Sequence, residues 1–356
     1  MNARIAYLDG HRGVAILMVI LYHAYARWWE VVPYGKKYSN MFPILNSGMF
    51  GVQLFFLISG FVILMTLEKC TSAREFLFRR WLRLFPAMLL CSLLIFVTAG
   101  FFHERPSGRP TFPSLVPPLT FVDASWWRQV PGFDANPLEV SYWSLYAEFK
   151  FYVVAATFYF WKGRRGLFAA LTLGFASTVL LKVGNGIWPH AGLGSAGKLL
   201  RGLGFENFGW FAAGAAFYTY SRCRAAGWFI AAAGFAVCSS VFGRELIWQP
   251  IVAGCVVATV FAVSVIHPGV QGLLTHPILQ FFGFISYPLY LIHENMMIAL
   301  IVKLDRLDLG IPGFLLPVVA VAALSVVAFG ISRHGEQWVR ARIRSAGRFG
   351  SKAVGC

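Results

Sequence analysis

An all-α integral membrane fold, a bundle of about ten transmembrane helices with no soluble domain, is what the amino-acid sequence predicts. Three observations predict it. Apolar residues make up 58% of the 356 positions and charged residues only 13%, about half the charged share of a soluble domain. The chain divides into ten long runs almost free of charge, and a run near 20 residues suffices to cross a bilayer. Basic residues gather on alternate connections between those runs, as expected where they set membrane orientation.

In order, the runs lie at 13–29, 46–67, 84–102, 142–161, 166–182, 205–221, 226–243, 247–266, 278–302 and 311–332. The first follows Arg4 and Arg12 and ends near Ala24-Tyr25-Ala26, a pattern shared with cleaved signal peptides. His23 stands where a signal would be apolar, so retention fits better. The fifth and sixth runs are rich in glycine, which membrane helices tolerate when neighbours satisfy the backbone. No polar stretch is long enough for a separate domain. The residues at 1–356 therefore form a single transmembrane domain.

With the N-terminus inside, inner segments hold 18 basic residues and outer ones 12, while Lys150 falls within a run. Both termini are then cytoplasmic, and the long connection 102–141 lies outside. It holds seven prolines and the pair Trp126-Trp127. Connections this long are usually functional or disordered, and the aromatic content speaks against disorder. A cap of interfacial tryptophans and a substrate-facing role both suit it.

The net charge of +16 belongs to this flanking pattern and not to nucleic-acid binding, since no compact basic domain exists to carry it. The six cysteines, Cys356 included, show no paired spacing and imply neither a disulfide framework nor a metal site.

Candidate chemistry begins with Arg12 and His23. Eleven helical steps of 100° return to within 20° of the starting face, with a rise of roughly 16–17 Å. An ionisable residue deep in a span is a functional candidate, although a histidine bonded to a neighbouring helix would look the same. The separation matches a pantetheine arm, so Arg12 could hold a coenzyme A head while His23 meets the thioester. Arg79, Arg80 and Arg83 crowd the start of the third run. Guanidinium groups suit phosphates, while taken by itself the cluster is better explained by plain membrane orientation. Ser144, Glu148 and Tyr152 are spaced by four and share a helix face. Glu148 needs a partner there, and a structural ion pair would serve. Gly51 to Phe61, with Ser59 and Gly60, offers small residues for close helix approach. Tyr290 and His293 are three apart on one face, where a catalytic role and a structural hydrogen bond are both open.

Several stretches together resemble the membrane-bound acyltransferase family 3. Tyr7-Leu-Asp-Gly-His-Arg-Gly13 with Leu21-Tyr-His23 is similar to the family's opening, including its Arg-x10-His pattern. Ser59-Gly60-Phe61, Arg80-x-x-Arg83, Trp143-Ser-Leu-x-x-Glu148 and Ser286-Tyr-x-x-Tyr-Leu-x-His293 are similar to further family motifs, in family order. His11 and Glu294 depart from the pattern, each standing where an apolar residue is usual.

The resemblance implies transfer of an acyl group, most often acetyl, from acyl-coenzyme A to a carbohydrate hydroxyl on a cell-surface or exported glycan. It implies His23 and Glu148 as catalytic residues, and Arg12, Arg80 and Arg83 as the acyl-coenzyme A grip. Asp9, Ser59, Trp143, Tyr290 and His293 line the pocket in that reading. No metal is implied. The expected partners are acyl-coenzyme A, a carbohydrate or glycolipid acceptor and membrane lipids, with no nucleic acid. The expected location is a bacterial inner membrane, crossed many times. A transporter or flippase using the same buried charges is the alternative.

Overall fold

The structure is a computed structural model that describes residues 5–35, 43–188, 193–242 and 248–353. Arg4 and Cys356, which enter the readings above, lie outside the described residues. All regular structure among the described residues is helical.

The expectation of ten spans with nothing else is corrected. Among the described residues, five helices are long and apolar enough to cross a membrane: Ile44–Leu67, Ala73–Thr98, Val140–Ile187, Gln249–Ile266 and Gly313–Ser345. A sixth is formed if Pro277–Ile292 and Asn295–Arg306, bent by 82° at their break, count as one span. The other expected runs form shorter helices or merge. The 13–29 run becomes the 17-residue helix Ala6–Tyr22 and a π-helical turn His23–Arg27. The 205–221 and 226–243 runs become Phe208–Cys223, of 16 residues, and Ala226–Phe242, of 17. Two runs fuse in Trp143–Ile187, whose helical geometry fails only at Lys162 and Gly163. The cause is physical. Hydrophobicity records which residues avoid water but not where the backbone ladder breaks, and that decides helix length. Several helices of spanning length make this a multi-pass membrane protein.

The chain forms two compact units. The first comprises Met1–Val19, Ile44–Phe78 and Ser144–Gly283. Its centre is the packing of Gly51–Leu67 on Phe208–Cys223. Added methyl groups at Gly60 and Gly214 would overlap the carbonyl oxygens of Phe211 and Leu57. The glycines therefore let two backbones meet, as small residues do between membrane helices. Phe151 stacks on Phe211 with centroids 3.9 Å apart and fills the flank of this contact. At one edge, Glu68 accepts from Arg164 Nε at 2.7 Å and from the Tyr218 hydroxyl at 2.7 Å.

The second unit comprises Ile20–Pro43, Arg79–Trp143 and Phe284–Cys356. Its helices are joined by side chain to backbone bonds. The Tyr287 hydroxyl donates to the Leu84 carbonyl at 3.1 Å, and Arg340 donates to the Arg83 carbonyl at 3.2 Å. The connection 99–139 is not a loose loop. Glu104 pairs with Arg306 at 2.7 Å, Ser107 donates its backbone N–H to Asn295 Oδ1 at 2.9 Å, and the Tyr142 hydroxyl donates to the Leu291 carbonyl at 2.9 Å. Trp127, expected at an interface, donates to Thr120 Oγ1 at 3.2 Å and packs on Phe133 at 5.3 Å.

Candidate active site

The second unit gathers its titratable groups at the 82° break between Pro277–Ile292 and Asn295–Arg306. The break exposes backbone groups that a continuous helix would satisfy, and three successive polar residues, His293, Glu294 and Asn295, occupy it. All three are buried. Burial of such groups is tolerated only with partners, and each has them.

His293 Nδ1 lies 2.6 Å from the Tyr290 carbonyl oxygen, and its Nε2 lies 3.3 Å from His23 Nδ1. A carbonyl can only accept, so His293 Nδ1 carries the proton. In a neutral ring His293 Nε2 is then an acceptor, and His23 Nδ1 donates to it. With both rings neutral, His23 Nε2 holds the lone pair. That nitrogen lies 3.6 Å from Glu294 Oε1. The His23 side chain keeps 11% of its surface exposed, whereas His293 has none. Of the two, His23 is the ring that a substrate can reach. It sits at the start of the π-helical turn His23–Arg27, a local widening of the kind that recurs at functional sites.

Around this pair, Glu294 Oε2 accepts the backbone N–H of Ser141 at 2.7 Å. The Tyr290 hydroxyl donates to the Ser141 carbonyl at 2.9 Å. Glu139 Oε2 accepts the Asn295 backbone N–H at 3.1 Å and its side-chain amide. Arg105 reaches Glu139 Oε1 at 3.5 Å and the Leu138 carbonyl at 2.8 Å. Burial pushes the Glu139 carboxyl up to about 8, with Arg105 pulling it down and Glu294 adding to the rise. Trp143, at the end of this segment, is exposed. On the Ala73–Thr98 helix, Arg80 is buried and Arg83 is exposed.

The first unit holds the remaining site residues that the sequence singles out. Arg12 Nη1 pairs with Asp9 Oδ1 at 2.6 Å across one helical turn. Glu148 Oε1 accepts from the Ser59 hydroxyl at 2.5 Å and the Tyr152 hydroxyl at 2.6 Å. The four-residue spacing of Glu148 and Tyr152 thus becomes a direct bond. Asp9, Arg12, Ser59 and Glu148 belong to this unit, and His23, Tyr290, His293, Arg80, Arg83 and Trp143 to the other. The carboxylate beside His23 is Glu294.

His11 and Glu294 both have partners. His11 Nε2 lies 2.7 Å from Ser264 Oγ, whose own hydroxyl donates to the Phe261 carbonyl at 2.7 Å. His11 is thereby the donor to Ser264. Glu294 binds Ser141 as described. Arg105, Glu139, Ser141 and Asn295 were not foreseen. Glu139 is a polar residue bordering an apolar run, and Asn295 ends a polar triplet inside one, which are the signals that mark them. Among the described residues, no group of three or more His, Cys, Asp and Glu is placed to hold a metal ion.

Fold and site together define a multi-pass membrane protein with a buried histidine pair beside a carboxylate. Residues 5–332 match the acyltransferase family 3 under the description "Acyltransferase domain". The chain belongs to this membrane-bound acyltransferase family. It is 29% identical over 164 residues to the peptidoglycan O-acetyltransferase OatA of Listeria monocytogenes, covering 42% of this chain and 23% of that protein. It is 28% identical over 152 residues to the O-acetyl transferase of Shigella phage Sf6, covering 41% of this chain and 43% of that one. The matched region thus spans less than half the length of each relative. No solved structure matches the chain.

Proposed function

We propose that this protein transfers an acyl group, acetyl in particular, from acyl-coenzyme A to a hydroxyl of a cell-surface or exported carbohydrate. Family membership supports acyl transfer. The names of the two relatives above support acetyl as the group. The observation that carries the reading is the contact of His293 with the Tyr290 carbonyl on one side and with His23 on the other. With both rings neutral, that arrangement assigns the basic nitrogen to the more accessible ring.

In this mechanism His23 Nε2 takes the proton of the acceptor hydroxyl as its oxygen bonds to the thioester carbonyl carbon. The C–S bond then breaks. The coenzyme A thiolate leaves and takes the proton back from His23, so the histidine ends as it began. His293 holds the His23 ring in the tautomer that makes Nε2 the base. Arg12, Arg80 and Arg83 serve as donor-phosphate ligands, since bidentate guanidinium bonds suit phosphate oxygens. Glu148, with Ser59 and Tyr152, forms a second polar centre. The protein resides in a bacterial inner membrane as one transmembrane acyltransferase domain over 1–356.

The test is acyl transfer by purified protein in lipid bilayers, with acetyl-coenzyme A and envelope glycan fractions. Thioester consumption matched by acylated glycan is expected. Glycan that crosses the bilayer with no thioester consumed would overturn the reading in favour of transport.

A further inference from the structure

A base that becomes cationic in a buried site needs a counter-charge, because an isolated ion there is costly. Two rings pack on His23. His293 packs against it edge-on, with ring centroids 4.7 Å apart, and the neighbouring Tyr22 ring lies at 5.0 Å. His293 donates its Nδ1 proton to a backbone carbonyl. Glu294 is the acid within ion-pair reach of His23 among the described residues. Further out, Glu139 faces Glu294 and is itself answered by Arg105.

The two oxygens of Glu294 have different tasks. Oε2 is committed to the Ser141 N–H at 2.7 Å, which pins the carboxylate from the long connection. Oε1 is directed at His23 Nε2 from 3.6 Å. That distance exceeds a hydrogen bond. It is short enough for strong attraction once the ring is charged. Glu294 also adjoins His293 in the chain, so one helix break presents both the group that orients His23 and the group that balances it.

On the acyl-transfer reading above, we propose that Glu294 is a positioning residue that stabilises the His23 imidazolium during transfer, held in place by the backbone of Ser141. The acid at this position thereby gives this chain a counter-ion from the same turn as His293.

The experiment compares Glu294→Gln and Glu294→Asp with wild type in lipid. It measures kcat against pH, donor affinity, and the histidine 15N resonances that report imidazole protonation. Gln keeps an acceptor for Ser141 and removes the charge. It should lower kcat about 10-fold or more, less than the 10²–10⁴-fold of losing the base itself. It should move the acidic limb of the kcat profile to lower pH, because the imidazolium loses its counter-ion. Donor affinity should hold. Asp keeps the charge on a shorter arm and should recover part of kcat and the position of the acidic limb. An unmoved acidic limb in Glu294→Gln would overturn the proposal, whether kcat is retained or lost, since a purely structural carboxylate changes amplitude only. Failure of the acyl-transfer reading is separately visible. If wild type consumes no thioester, or a His23→Gln variant turns over normally, the 15N titration of His23 decides. An equal protonated fraction in wild type and Glu294→Gln then removes Glu294 as its counter-ion.

Discussion

Asn295 meets Glu139 twice, once through its backbone N–H at 3.1 Å and once through its side-chain amide. The pair clamps the end of the long connection to the helix break that carries His293 and Glu294. Asn295→Ala removes the amide donor from a buried carboxyl. It should cost about 1–3 kcal/mol, the penalty for an unsatisfied buried group. Thermal unfolding in detergent would register this, and proteolysis within 99–139 should accelerate.

The same carboxyl makes stability depend on pH. Burial holds Glu139 up to about 8 in the fold, against an ordinary value near 4.3. A raised carboxyl favours the folded state fully at pH below its unfolded value. That contribution is lost as pH rises through the folded one. Wild type should therefore lose stability between about pH 4 and 8, and Glu139→Gln should flatten that slope. Equal slopes in melts of both proteins would show that Glu139 titrates normally.

Gly60 tests the helix contact of the first unit. Gly60→Ala places a methyl group against the Phe211 carbonyl, and backbone cannot yield as a flexible side chain would. Overpacking of this kind costs about 1–3 kcal/mol. A lowered melting temperature with unchanged donor affinity is the expected pattern.

Arg80 and Arg83 separate a binding role from a structural one. Arg83 is exposed, so Arg83→Ala should weaken acyl-coenzyme A binding by about 1–3 kcal/mol through lost phosphate bonds while leaving stability unchanged. Arg80 is buried, so Arg80→Ala should lower both. Unaltered donor affinity in both variants would assign the pair to membrane orientation.

His23 carries the chemistry proposed here. His23→Ala and His23→Gln should each reduce transfer about 10²–10⁴-fold with donor binding retained. Gln preserves a hydrogen-bonding group near His293 but supplies no base. Near-normal turnover in the glutamine variant, with folding verified, would make His23 a structural histidine.

How much of this was legible in the sequence varies from residue to residue. The helical class was legible, because apolar runs without charge leave only helices to satisfy the backbone in lipid. So were some local pairings. The spacing of Glu148 and Tyr152 is a bond at 2.6 Å, and Tyr290 and His293 do share a turn. Glycines at 60 and 214 sit where two helices touch. The number of spanning helices was not legible. The break at Lys162–Gly163, the π turn at His23 and the 82° bend at His293–Glu294 are backbone events that hydropathy does not register. Nor did spacing along the chain reveal which carboxylate serves which partner. Glu148 and Glu294 are both acids inside apolar stretches. Only folding set one against Ser59 and Tyr152 and the other against His23 and Ser141. Local sequence determines periodicity and burial preference, which repeat every few residues. Partnerships between residues 153 to 271 positions apart, such as Glu294 with Ser141 and with His23, depend on tertiary packing that brings distant turns within a few ångströms.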